Sequence, residues 1–138
     1  MCSISLEDNT NKTNFIMKYH PLSIRPFLGA EDFELSRNFY RYIGFQEVLL
    51  GAHLSLFKVG EFGFYLQHAY VKDWIENTMV FMEVENLDQL FEDYSLLDLQ
   101  KKYKKVRLIP IRTQPWGRAF FLHDPSGILW HFGVFNKQ

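Results

Sequence analysis

From residue 23 onward the chain alternates apolar and polar positions, then repeats them at helical spacing, and the same order of signals occurs twice. Ser23 to Leu28, a short and mostly apolar stretch interrupted by Arg25 and Pro26, predicts a strand; Pro26 has no N–H for a ladder and is best placed at an edge or a bulge. Asp32 can cap a helix whose apolar positions Leu35, Phe39 and Ile43 recur every four residues, and Gly44 stands where that helix must stop. Phe45 to Gly51, His53 to Val59 and Phe62 to Ala69 follow as strands, divided by Gly51-Ala52 and Gly60-Glu61. The sum is a βαβββ unit.

Val71 to Thr78 is charged and irregular and predicts a connector. Met79 to Val84 is the next strand. Asn86 with Gln89 forms a capping box ahead of an amphipathic helix carried by Leu87, Leu90, Phe91, Tyr94 and Leu97 and running to about Tyr103. Its acids Asp88, Glu92 and Asp93 come early and Lys101, Lys102, Lys104 and Lys105 late. That order suits the helix dipole, so the lysine run is a solvated helix end rather than a nucleic-acid patch. Arg107 to Thr113, Arg118 to His123 and Ile128 to Phe135 complete a second βαβββ unit, punctuated by Gln114-Pro115-Trp116-Gly117 and Asp124-Pro125-Ser126-Gly127.

A unit of this size cannot bury its own sheet face, so the expected fold is α+β: two βαβββ modules, about residues 22–70 and 79–136, pairing into a curved mixed sheet around a central cavity with the helices outside. Neighbours on a strand point to opposite faces. Trp130, Phe132 and Val134 form one helix-facing row, Val80, Met82 and Val84 another, Phe62, Phe64 and Leu66 a third, and Ile24, Pro26 and Leu28 a fourth. The opposite rows place Arg25, Phe27, Tyr65, Gln67, Met79, Phe81 and His131 in the hollow, and the ring of Trp116 can overhang it from its turn.

The chain has 138 residues, 15 basic against 16 acidic, 47% hydrophobic and 17% aromatic. That suits one domain, over residues 21–138, with rings to spare for a cavity wall, and it supplies no field for nucleic acid or an anionic membrane. A single cysteine, Cys2, permits no internal disulfide and no cysteine-built zinc site. Residues 1–20 read as a poorly ordered leader without signal-peptide character, and Met17-Lys18 would serve equally well as the start of the folded part. No run is long and apolar enough to span a membrane. The expected setting is the cytoplasm.

Gly29-Ala-Glu-Asp-Phe-Glu-Leu-Ser-Arg-Asn-Phe-Tyr-Arg-Tyr-Ile-Gly-Phe45 resembles the strand-to-helix signature of the vicinal oxygen chelate superfamily, which includes glyoxalases, bleomycin-resistance proteins and extradiol dioxygenases. Phe120-Phe-Leu-His-Asp-Pro-Ser-Gly-Ile-Leu-Trp-His-Phe132 resembles its closing Asp-Pro-x-Gly turn and last strand. The likeness covers most of residues 22 to 135 and is closest to the metal-free bleomycin-resistance-like branch. It implies ligand positions on the first, fourth, fifth and last strands, which fall here on Arg25 or Pro26, Gln67, Met79 and His131. Arginine has no lone pair to give, thioether is soft and amide oxygen is weak; only His131 is a good ligand, so no metal and no cofactor are expected. That branch forms dimers whose pockets lie between halves of two chains, so a homodimer is implied.

Three functions follow. The first is a cup that binds a small molecule without metal, its walls including Tyr65, Phe81, Trp116 and Trp130. A charge at Arg25 among Phe27, Phe81 and Tyr65 needs a partner, either Glu83, Glu34 or an anionic ligand. The near-neutral chain therefore points to an aromatic anionic or neutral compound rather than a cationic drug. The second is a metal-dependent lyase, isomerase or dioxygenase using His131 and Gln67. The third is a structural or interaction domain with a filled cup. His123 beside Asp124 is not a catalytic dyad, because adjacent strand residues point apart and Asp124 suits the turn. His20, His53 and His68 show no metal or triad spacing, and no nucleophile motif is present.

Overall fold

The computed structural model describes residues 14–137, so Cys2 and the leader as far as residue 13 lie outside the described residues. Residues 14–26 hold no helix or strand and are exposed except at the half-buried Arg25. Two four-stranded sheets follow. The first contains β1 (Phe27–Ala30), β2 (Gln46–Gly51), β3 (Leu54–Val59) and β4 (Phe62–His68) in the order β1-β4-β3-β2, with α1 (Phe33–Tyr42) between β1 and β2 in the chain. The second contains β5 (Met79–Glu83), β6 (Arg107–Gln114), β7 (Gly117–His123) and β8 (Leu129–Phe135) in the order β5-β8-β7-β6. Three short helices remain: α2 (Lys72–Glu76), α3 (Leu87–Ser95) and α4 (Leu99–Lys102). In each sheet the first strand pairs parallel with the last and the other pairs are antiparallel. The fold is the α+β pair of βαβββ modules expected from the sequence.

The expected elements shift in four places. β1 starts at Phe27 rather than Ser23, which leaves Ile24 exposed; Pro26 contributes only its carbonyl, to Tyr65 N–H at 2.9 Å, and then joins an edge strand. The connector contains α2, because Ile75 is buried where Gly29 and Gly127 leave room beside its side chain. The long second helix is broken: Asp98 takes φ +55°, a left-handed conformation that ends α3 and starts α4. Asn86 makes no side-chain cap, and Gln89 bonds Asp93 and Glu92 instead of reaching back. Asp32 does cap α1, its carboxylate accepting from Leu35 N–H at 3.1 Å, and Gly44 ends that helix at φ +104°.

The helix-bearing faces of the two sheets meet in one core. Tyr40 and Phe39 of α1, Phe57 and Phe64 of the first sheet, and Phe120, Trp130 and Phe132 of the second are all buried. Trp130 stands 5.5 Å from both Phe45 and Phe64 and 5.9 Å from Tyr40, and the Tyr94 hydroxyl donates to Ile43 C=O. Trp130 is therefore core and not a cup wall. Phe62, expected in the helix-facing row, is 80% exposed because it closes the β3–β4 hairpin tip opposite Val59. With the covered faces turned toward each other, the opposite faces stay open to solvent; two clefts of about 410 and 390 Å³ lie at Glu31/Lys105 and at Phe91/Leu108. No helix among the described residues is long and apolar enough to cross a membrane.

Glu47 of β2 ties α1 to its sheet. Arg37 reaches it at 2.5 Å, Arg41 at 2.7 Å, and Ser55 also donates to it. Burial alone would raise this carboxyl, but hydrogen bonds from Arg37, Ser55 and Arg41 outweigh it and bring it from 4.5 to about 2. A carboxylate lowered on folding adds stability that is complete above pH 4.5 and is lost as pH falls to about 2. Discounted for solvent at the Arg41 side, the contribution is about 1–2 kcal/mol. Urea unfolding across that window should show this loss in the native chain and its absence in Glu47→Gln.

Candidate functional site

On the open face of the first sheet, Tyr65 of β4 sits beside Phe27 of β1 by parallel register, and their rings stack at 4.9 Å. The Arg25 guanidinium lies over the Tyr65 ring at 5.9 Å, with its Nη1 3.4 Å from the Tyr65 hydroxyl. Gly63 has no side chain to block it, since a Cβ there would come within 3.5 Å of Arg25 Nε. That Nε is buried and has no hydrogen-bond partner among the described residues. Neither expected acid pairs with it: Glu34 bonds Arg37, and Glu83 enters no ion pair among the described residues. Gln67 lies two residues on along the same face, half-buried.

The open face of the second sheet is more aromatic. Phe81 of β5 packs on Trp116 at 5.5 Å and on Phe135 at 5.5 Å, and stacks over His131 at 6.1 Å. Phe121 meets His131 edge-on at 5.0 Å. Gly133 admits this arrangement, because a Cβ there would stand 2.7 Å from Phe81 Cζ. His131 Nε2 is buried with no hydrogen-bond partner among the described residues, and burial lowers its imidazole below the ordinary value, which favours the neutral form. Met79 is 64% exposed at the end of the row, and Arg112 lies over Phe121 at 5.9 Å. Trp74 belongs to neither face's ring cluster and is exposed.

No family model matches the chain, and no curated protein matches it. Solved structures do. A bleomycin-binding protein from bleomycin-producing Streptomyces verticillus, complexed with copper(II)-bleomycin, superposes with a TM-score of 0.72 and 22% identity over 88% of this chain and all of that one. The chain has the vicinal oxygen chelate fold. Lactoylglutathione lyase from Agrobacterium tumefaciens matches at TM-score 0.61 and 18% identity over 83% of this chain and 95% of that one. A fosfomycin resistance protein from Listeria monocytogenes matches at 0.64 and 12% over 88% and 94%.

The positions that the resemblance in sequence implies for metal ligands, Arg25 or Pro26, Gln67, Met79 and His131, carry side chains whose chemistry does not fit a divalent catalytic ion. Arg25 brings a second positive charge, Pro26 has no donor side chain, and Met79 and Gln67 offer thioether and amide; only His131 Nε2 is an apt donor. Among the described residues no three His, Cys, Asp or Glu side chains converge anywhere.

Three groupings escaped the sequence reading. Arg112 joins the open face only because the β6 ladder shifts register between Ile109 and Arg112, a bulge that alternation alone does not reveal. Asp124 is fully buried, accepting from Ser126, Gly127 and Ile128 N–H and from the Tyr40 hydroxyl, and none of its bonds goes to His123. His53 and His68 meet because the β3–β4 hairpin, paired from Val59↔Phe62 to Leu54↔Gln67, puts them next in line. The Gly60-Glu61 turn was the signal for that register.

Proposed function

We propose that this protein binds a small aromatic molecule carrying a carboxylate or similar anion, without a metal, between the open face of the first sheet of one copy and that of the second sheet of another. The observation that carries the reading is that two buried nitrogens, Arg25 Nε and His131 Nε2, have no partner among the described residues and lie on faces lined by Phe27, Tyr65, Phe81 and Trp116. Buried polar groups are ordinarily hydrogen-bonded, so two such orphans beside these rings leave two polar groups that a bound molecule can satisfy once the side chains covering them turn aside. Neutral His131 donates one N–H, Arg25 supplies charge, and the rings stack on a planar body. Met79 and Gln67 flank it.

The same faces support a homodimer. Each carries large apolar side chains left in water, Phe27 at 57%, Phe81 at 42% and Phe135 at 51%, a pattern that marks a surface for association. Neither face encloses a ligand alone.

The test is a titration of chelator-treated protein with aromatic carboxylates, their neutral amides and aromatic cations, followed by tryptophan fluorescence through Trp116. The carboxylates should quench or shift the emission saturably and bind at least about tenfold tighter than the amides, a difference of about 1.4 kcal/mol. A signal unchanged by every compound, or a preference for cations, would count against the proposal.

A further inference from the structure

On the helix-bearing side of the first sheet, His53 and His68 stand together at the end of β4. Their Nδ1 atoms are 3.4 Å apart and their rings 5.3 Å apart. They are held there from both directions: His68 N–H bonds His53 C=O at 3.0 Å, and the His68 ring stacks on Phe33 at 6.3 Å. Both side chains are exposed. The pair lies across the sheet from Tyr65 and Gln67, because residues 53, 55 and 57 of the hairpin share the face of Ser55 and Phe57, both buried beneath α1.

A separation of 3.4 Å is long for a hydrogen bond between ring nitrogens, whose usual reach is about 2.7–3.2 Å. It suits a shared ion better. Two nitrogens at about 2.0–2.1 Å from a tetrahedral zinc stand about 3.3–3.4 Å from each other. We infer that His53 and His68 form a two-histidine chelate for a divalent transition-metal ion such as zinc or copper(II), with water filling the remaining positions. Imidazole suits these metals, and the order of affinities places copper(II) above zinc. Both Nδ1 atoms then carry lone pairs and both Nε2 atoms keep their protons, an arrangement that costs little at an exposed site. The fixed backbone link and the Phe33 stack reduce the ordering needed on binding.

The experiment is isothermal titration of the full, untagged chain, stripped with chelator, with zinc and separately with copper(II). The variants are His53→Ala, His68→Phe, which keeps a ring on Phe33 without a nitrogen, and His131→Ala. Circular dichroism should show all three folded. The inference expects one ion per chain, copper(II) bound more tightly than zinc, affinity reduced at least about tenfold by either hairpin substitution, and no change with His131→Ala. Absence of saturable binding to the native chain, or binding that survives both hairpin substitutions, would overturn it. Binding lost only with His131→Ala would overturn it too, and would place the metal on the opposite face against the proposed function as well. The aromatic titration is unaffected by the hairpin variants if the two sites are separate, so each idea can fail alone.

Discussion

Asp124→Ala should lower the free energy of unfolding by about 3–5 kcal/mol, a large part of the total for a small domain. The carboxylate joins the two modules. Its Oδ1 accepts three backbone N–H groups at 2.8, 2.8 and 2.9 Å, and its Oδ2 accepts the Tyr40 hydroxyl at 2.6 Å. That hydroxyl in turn accepts from Trp130 Nε1 at 3.0 Å, and Ser126, held by the turn, accepts from Glu31 N–H at 3.0 Å. Burial pushes the Asp124 carboxyl up, opposed by these donors, and burial with the nearby carboxylate pushes the Tyr40 phenol well above its ordinary value. Alanine leaves the donors buried without an acceptor. Tyr40→Phe removes one bond and should cost about 1–2 kcal/mol. Urea denaturation measures both; a loss below about 1 kcal/mol for Asp124→Ala would mean that the turn is held by packing alone.

Arg25→Ala should weaken an aromatic carboxylate by about 2–3 kcal/mol, or about 30- to 150-fold, and the matching neutral amide by less than about threefold. The guanidinium sits over the Tyr65 ring and its Nε has no partner among the described residues, so a carboxylate bound on this face brings the acceptor that the charge lacks. A charge-assisted bond of this kind is about twice as strong as a neutral one. Arg25→Lys keeps the charge but loses the planar fork, and should fall between the two. Calorimetry on the three proteins decides it. Equal losses for acid and amide would show that Arg25 acts through packing on Tyr65, not through its charge.

Period and turn chemistry made the fold legible. The repeated order of strand, helix and three strands, Asp32 as cap, Gly44 as stop and the alternation of Trp130 and Phe132 with His131 all appear in the structure as the residues foretell. The misplacements have physical causes. Ile24 and Phe62 satisfy alternation but lie where no helix covers them, and Asp98 breaks α3 through a left-handed conformation that its type tolerates without demanding. Faces were readable and their closure was not, because alternation tells which side a residue occupies and says nothing of what covers that side. The His53–His68 pair and the Arg112 contact depend on register and on a bulge, both set by pairing between distant strands.

A crystal structure of the chain with a bound aromatic carboxylate decides whether the open faces form a metal-free binding site. The ligand should lie between two copies, its acid group on Arg25, its ring beside Phe81 and Trp116, and His131 Nε2 within hydrogen-bond distance, with no metal ion between them. A divalent ion ligated by His131 and Gln67 at that place, or open faces packed solid against each other with no room for a ligand, would contradict the account.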